Sequence, residues 1–305
     1  MSSIEKVKTI LQLWTSLALH TRMRDRSVKV LQYGCQMLIG FYGPQLKPAS
    51  LAAFSTLRRM SSNSRKAFWL LKSLNHVGTI ISMIEGGLRD KSLADQLDFI
   101  EQIFLVFYYW YESEIYFARA GMMGLDEDTL DPWCNWTWLG GDVAFLLAGL
   151  LRLHDHVKRR AGVARQLEEL TLRDGDFVDG DVCTICTERS DVISYSLSHA
   201  RSGFGGIFST GGDVQIRLSD HPLPKSADEK LSLIRTLQQM DQETFDKQLT
   251  VWIGVLELGV SLHYVDFYKF VFRKHISEMY VGAMGVASST LILYEGLLAA
   301  RRQLP

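Results

Sequence analysis

The chain has 305 residues, of which 47% are hydrophobic and 22% charged, with a formal net charge of -1, and its mean hydropathy is +0.02. Such balance excludes a transporter dominated by lipid-facing helices, and it excludes the global basic field of a nucleic-acid binder. The length is ample for a sizeable core, and six prolines with few alternating stretches point to an all-α protein.

The first stretch predicts a helix over about 3–20, with Ile4, Val7, Leu11 and Trp14 on one side, and it lacks the basic-then-apolar layout of a cleaved signal peptide. A charged turn, Arg24-Asp25-Arg26, leads into a helix over about 25–42 with Val28, Leu31 and Cys35 at helical spacing. Gly43-Pro44 and Lys47-Pro48 separate it from a helix over about 49–60. Ser61, Ser62, Asn63 and Ser64 then read as a helix start, because each accepts a bond from a free first-turn amide. The helix they open, over about 64–88, carries Ala67, Leu70, Leu71, Leu74, Val77, Ile81 and Ile84 on one face. Arg65, Lys72 and His76 lie opposite, and Lys66 sits at the edge. Such a helix either lies in a membrane interface or packs on a protein core, and spacing alone leaves both open.

Further helices are expected over about 92–121, 137–171, 226–272 and 276–301, with a loop at Asp131-Pro132-Trp133. The aromatic run Tyr108-Tyr109-Trp110-Tyr111 suits either a headgroup boundary or a core. Between about 173 and 225 the composition shifts to Gly, Ser and Asp, which reads as a long loop or insertion. The resulting organisation is an N-terminal helical region (1–155), an insertion (156–235) and a C-terminal helical region (236–305).

No catalytic constellation emerges. Cys35 and Cys134 sit among apolar residues, and Cys183-Thr184-Ile185-Cys186 lacks the second ligand pair of a zinc site. Asp174 to Asp181 departs from a calcium loop at its fifth, sixth and twelfth positions. Serine-hydrolase, zincin, P-loop and dinucleotide patterns are all lacking. The reading is a non-enzyme without metal or cofactor. The longest uncharged run, Met279 to Tyr294, lies between Glu278 and Glu295, and Thr250 to Val265 and Val143 to Leu151 are further apolar stretches. In the first, Gly282, Ala283, Gly285, Ala287 and Ser289 provide the small-residue spacing of close helix packing. The expectation is an all-α, membrane-associated protein with amphipathic helices and one C-terminal membrane-spanning helix.

Three segments carry a family resemblance. Asp25-Arg26-Ser27-Val28-Lys29-Val30-Leu31-Gln32-Tyr33-Gly34 resembles the opening D-R/K-x-x-K-x-x-Q-Y-G of the peroxin-eleven family of peroxisomal (glycosomal) membrane-elongation and fission proteins. Ser62 to Phe68 is similar to its S-x-S-R-K-x-F segment, and Gly282 to Tyr294 to its C-terminal G-x-x-G-x-x-S-S-x-x-x-x-Y segment. The matches cover roughly 20–153 and 245–298. The resemblance implies a peroxisomal membrane protein that remodels and elongates its membrane, driving proliferation and fission through amphipathic-helix insertion and self-association. Its implied partners are an anionic phospholipid membrane, further copies of the chain, and a dynamin-type GTPase with its adaptors, with no nucleic acid. On that reading Arg65, Lys66 and Lys72 bind headgroups, each contributing about 1 kcal/mol near such a surface, while Phe68, Trp69, Leu71 and Leu74 insert. The alternative is a pore for small metabolites, with Asp142, Glu257 or His263 as lining residues, and a third reading is a soluble helical scaffold.

Overall fold

A computed structural model describes residues 21–88, 91–122, 124, 126–173, 178–179, 182–186, 192–196, 215–216 and 225–303; the helix expected over about 3–20 lies outside them. Helices carry nearly all of the described residues: α1 (Thr21–Tyr42), α2 (Pro48–Trp69), α3 (Lys72–Glu85), α4 (Leu93–Arg119), α5 (Glu127–Arg173), α6 (Lys225–Tyr264), α7 (Phe267–Phe272) and α8 (Glu278–Gln303). Local chemistry sets several of the boundaries. A 3-10 turn at Gly43–Gln45 follows α1, and Pro48 opens α2, where a missing amide costs nothing. The Ser92 hydroxyl caps α4 by accepting from the Asp95 amide at 3.3 Å.

Three boundaries differ from the sequence reading. The serine-rich start expected at Ser61–Ser64 is interior to α2, and the helix breaks instead at Leu71, which takes a left-handed conformation (φ 61°). Ser61, Arg65, Lys66 and Trp69 are all buried, and this tertiary anchoring outweighs the capping tendency of the serines. Asp131-Pro132-Trp133 falls inside the first turns of α5 rather than in a loop, near the end of a helix where proline removes the fewest bonds. Within 173–225, four short strands form an antiparallel sheet in the order β1 (Val178–Asp179), β2 (Val182–Cys186), β3 (Val192–Ser196), β4 (Gln215–Ile216). Cys183 pairs with Tyr195 and Ile185 with Ile193, in segments rich in β-branched residues.

The described residues fall into two compact units, one running to Gly149 and resuming at Leu249, the other Leu150–Gln248. In the second, the distal part of α5 and the proximal part of α6 run antiparallel over a buried seam that includes Leu153, Leu167, Ile234 and Leu237. His156 Nε2 meets the Met240 carbonyl at 2.9 Å, and Arg160 Nε donates to Asp241 at 2.6 Å. The first unit packs α1 along α8, with cores at Trp69, Tyr108, Tyr109 and Ile115 and at Tyr33, Val260 and Val281. Among the described residues, two helices are long and apolar enough to cross a membrane, α5 over Glu127–Leu170 and α8 over Glu278–Arg301. The fold is all-α in architecture, with the small sheet as its one addition among the described residues.

Candidate membrane-contact site

The three sequence segments that stood out singly meet in the first unit. On α1, successive turns place Asp25, Lys29, Gln32 and Tyr33 on one buried face. Arg65 of α2 donates from Nε to Asp25 Oδ1 at 3.0 Å and from Nη1 to Gln32 Oε1 at 2.7 Å. Its guanidinium also lies 4.5 Å from the Trp69 ring centre. Burial pulls the Arg65 pKa down most, but Asp25, Tyr33 and Tyr108 together outweigh it and the net shift is upward. Lys29 donates to both oxygens of Glu257 on α6, at 2.6 and 2.5 Å. Ser288 of α8 donates to the same carboxylate at 3.0 Å. Burial pushes the Lys29 ammonium down to about 8 against the opposing pull of Glu257. Lys66 is paired with Glu112 of α4. A charge buried alone is very costly, so every cation of this face has its acid.

Glycines let α8 approach α1. A Cβ on Gly282 would overlap the Met37 backbone, and one on Gly285 would overlap the Tyr33 ring. Ser289 is fully buried with its hydroxyl returned to the Gly285 carbonyl at 2.8 Å, while Ala283 and Ala287 are half-buried. Gly34 meets nothing within 4 Å, so close approach does not explain it.

Helix α3 presents three stripes. Lys72, Ser73 and His76 dock on α4: Lys72 Nζ donates to the Tyr109 hydroxyl at 2.7 Å, and His76 contacts Gln102 Oε1 at 2.7 Å and stacks on Tyr109. Asn75, Thr79, Ser82 and Glu85 form an exposed polar stripe. Leu74, Val77, Ile81 and Ile84, with Leu71 at the break, lie on the side away from α4, and they are exposed by 61%, 38%, 50%, 58% and 72%. A helix in water buries its apolar stripe. Here the basic stripe of Lys72 and His76 docks and the apolar stripe is free.

Of the seven side chains expected to touch lipid, Leu71, Leu74 and Phe68 are exposed. Arg65, Lys66 and Trp69 are buried inside the unit, and Lys72 lies on Tyr109. Their basic character serves the fold, because α1 and α4 carry acids at the facing positions. Sequence reading missed Glu112 as a partner; the signal for it was the lack of any acid between Asp25 and Glu85, which leaves Lys66 without a local counter-ion. The residues named for a pore are placed as follows: Glu257 is inside the ion-pair cluster, His263 lies 3.8 Å from Glu278, and Asp142 lines a cavity of about 240 Å³.

The fold and the exposed stripe define a membrane-associated helical protein. A family model described as Peroxisomal biogenesis factor 11 (PEX11) matches residues 11–296, nearly the whole chain and including the stretch between 153 and 245. The chain belongs to this family of peroxisome biogenesis factors, which is not a family of enzymes, and it is a protein of the peroxisomal membrane with a role in peroxisome proliferation and fission. No curated protein and no solved structure matches it.

Proposed function

We propose that this chain remodels and elongates the peroxisomal membrane by seating the apolar stripe of α3 in one leaflet, where the added area favours curvature and tubulation. The single observation that supports this reading is the outward apolar stripe. Its five side chains expose the equivalent of about three whole residues, a gross transfer of about 4–8 kcal/mol at about 1.5–3 kcal/mol for each. Leu71 and Leu74 hold nearly half of that area. Self-association and recruitment of a dynamin-type GTPase with its adaptors follow from the family reading.

The test is the full chain in anionic vesicles, viewed by electron microscopy for tubules. Leu71→Glu/Leu74→Glu is expected to weaken α3 seating by at least about thirty-fold and abolish tubules, with folding unchanged because both positions are exposed. Equal tubulation by the variant refutes the wedge. A second reading, a pore for small metabolites, is favoured by two cavities of about 240 and 140 Å³ that share Arg65, Trp69, Tyr108 and Trp138 in their linings. Solute release from sealed proteoliposomes that bear no tubules supports it instead.

A further inference from the structure

The connection between α6 and α8 carries a second surface that the α3 reading leaves unused. Val265–Ser277 turns twice through left-handed residues, Asp266 (φ 57°) and Arg273 (φ 52°), around the short helix α7. Residues 269–275, Lys-Phe-Val-Phe-Arg-Lys-His, are exposed without interruption, Phe270 by 87% and Phe272 by 64%. Large apolar rings held in water are unfavourable, and here they alternate with cations.

More exposed rings occupy the same end of the first unit. Asn135 of α5 donates to the Tyr264 carbonyl at 3.5 Å, which sets the start of α5 beside the end of α6. Trp133 and Trp136, one on either side of Asn135, are exposed by 62% and 57%. Tyr280, in the first turn of α8, is exposed as well. Gly40 of α1 abuts the Glu278–Met279 backbone, so the exposed Phe41 and Tyr42 fall at this level too.

We propose that this end, with α7 at its centre, is an anchor seated at an anionic lipid–water interface, where α8 enters the membrane. Three observations select that occupant. Aromatic rings ranged at one level of a helical unit match the belt that membrane proteins place among headgroups. Lys269, Arg273 and Lys274 lie within the aromatic segment and complement lipid phosphates. The segment is also continuous with the long apolar helix, because α8 begins six residues after Phe272. The anchor fixes the depth of the unit from a different surface than the α3 stripe, and it stands whether or not α3 inserts.

The test is photo-crosslinking with p-benzoylphenylalanine in place of Phe270 in the full chain. It is reconstituted in phosphatidylcholine vesicles with or without phosphatidylserine, and only carbonate-resistant, floated protein is measured. A phospholipid adduct at 270, absent when the probe replaces the exposed Glu229 of the second unit, is expected. Lys269→Gln/Arg273→Gln/Lys274→Gln should remove the gain from phosphatidylserine, about five-fold per cation. The same probe at Ile81 reports on α3 separately, so failure of one surface is distinguishable from failure of the other. An adduct to a second copy of the chain at 270, or no adduct in floated protein, overturns the proposal.

Discussion

Replacing Arg65 by alanine separates a structural cation from a headgroup ligand. In the structure Arg65→Ala removes the partner of Gln32, bonded at 2.7 Å, and the close partner of Asp25, bonded at 3.0 Å, leaving Asp25 only Arg26 at 3.9 Å. Asp25 and Arg65 side chains are 7% and 8% exposed, so water does not replace the lost partner. Opposite charges about 4 Å apart attract by ~4 kcal/mol at an effective dielectric near 20, and breaking a buried pair costs about 3–5 kcal/mol. Loss of the contact with Trp69 adds about 1 kcal/mol. The expected penalty is about 4–6 kcal/mol, a large share of the ~5–15 kcal/mol that stabilises a typical domain. Denaturant unfolding in detergent micelles reads it directly. Asp25→Leu/Arg65→Met should recover most of the loss, because an apolar pair replaces a buried ion pair at little net cost. The reasoning is refuted if Arg65→Ala unfolds like the parent yet no longer binds anionic vesicles, since Arg65 would then be acting on lipid.

Gly282→Ala should separate α8 from α1 and lower the unfolding midpoint, whereas Gly34→Ala, with open space around it, should be neutral or stabilising by about 0.5–1 kcal/mol, as for any glycine inside a helix; thermal scans of the two variants check the contrast. His76 is held below its usual value of 6.5, first by burial and then by Lys72, with Gln102 opposing, and its Nε2 has no partner. The fold therefore favours neutral His76, so its contribution is complete above pH 6.5 and lost as the pH falls through 6.5 toward the folded value. Amide protection factors in α3, taken relative to the intrinsic exchange rate at each pH, should fall below that pH, and His76→Phe should remove the dependence.

The helical architecture, the C-terminal span and the apolar residues of α3 were legible in the sequence, because each depends on spacing along one helix. The helix break was not. Four capping residues at Ser61–Ser64 marked a start that never forms, since Arg65, Lys66 and Trp69 are held in the unit and the chain turns two residues later at Leu71. The strands within 173–225 were hidden for a related reason: an antiparallel ladder pairs residues across the sequence, and their β-branched runs are only two to five residues long.

The candidate site divides along the same line. Period and composition alone determined that Leu71, Leu74, Val77, Ile81 and Ile84 share a face with Arg65 opposite, while the family resemblance singled out Asp25, Lys29 and Gly282. Only the tertiary structure decided what each of these does, because a charge or a glycine takes its role from whatever lies opposite. The acids opposite Arg65, Lys66 and Lys29 come from α1, α4 and α6, up to 228 positions away, a distance over which no local pattern operates. Tyr109 and Gln102 of α4 hold α3 by its basic stripe, which leaves its apolar stripe facing outward.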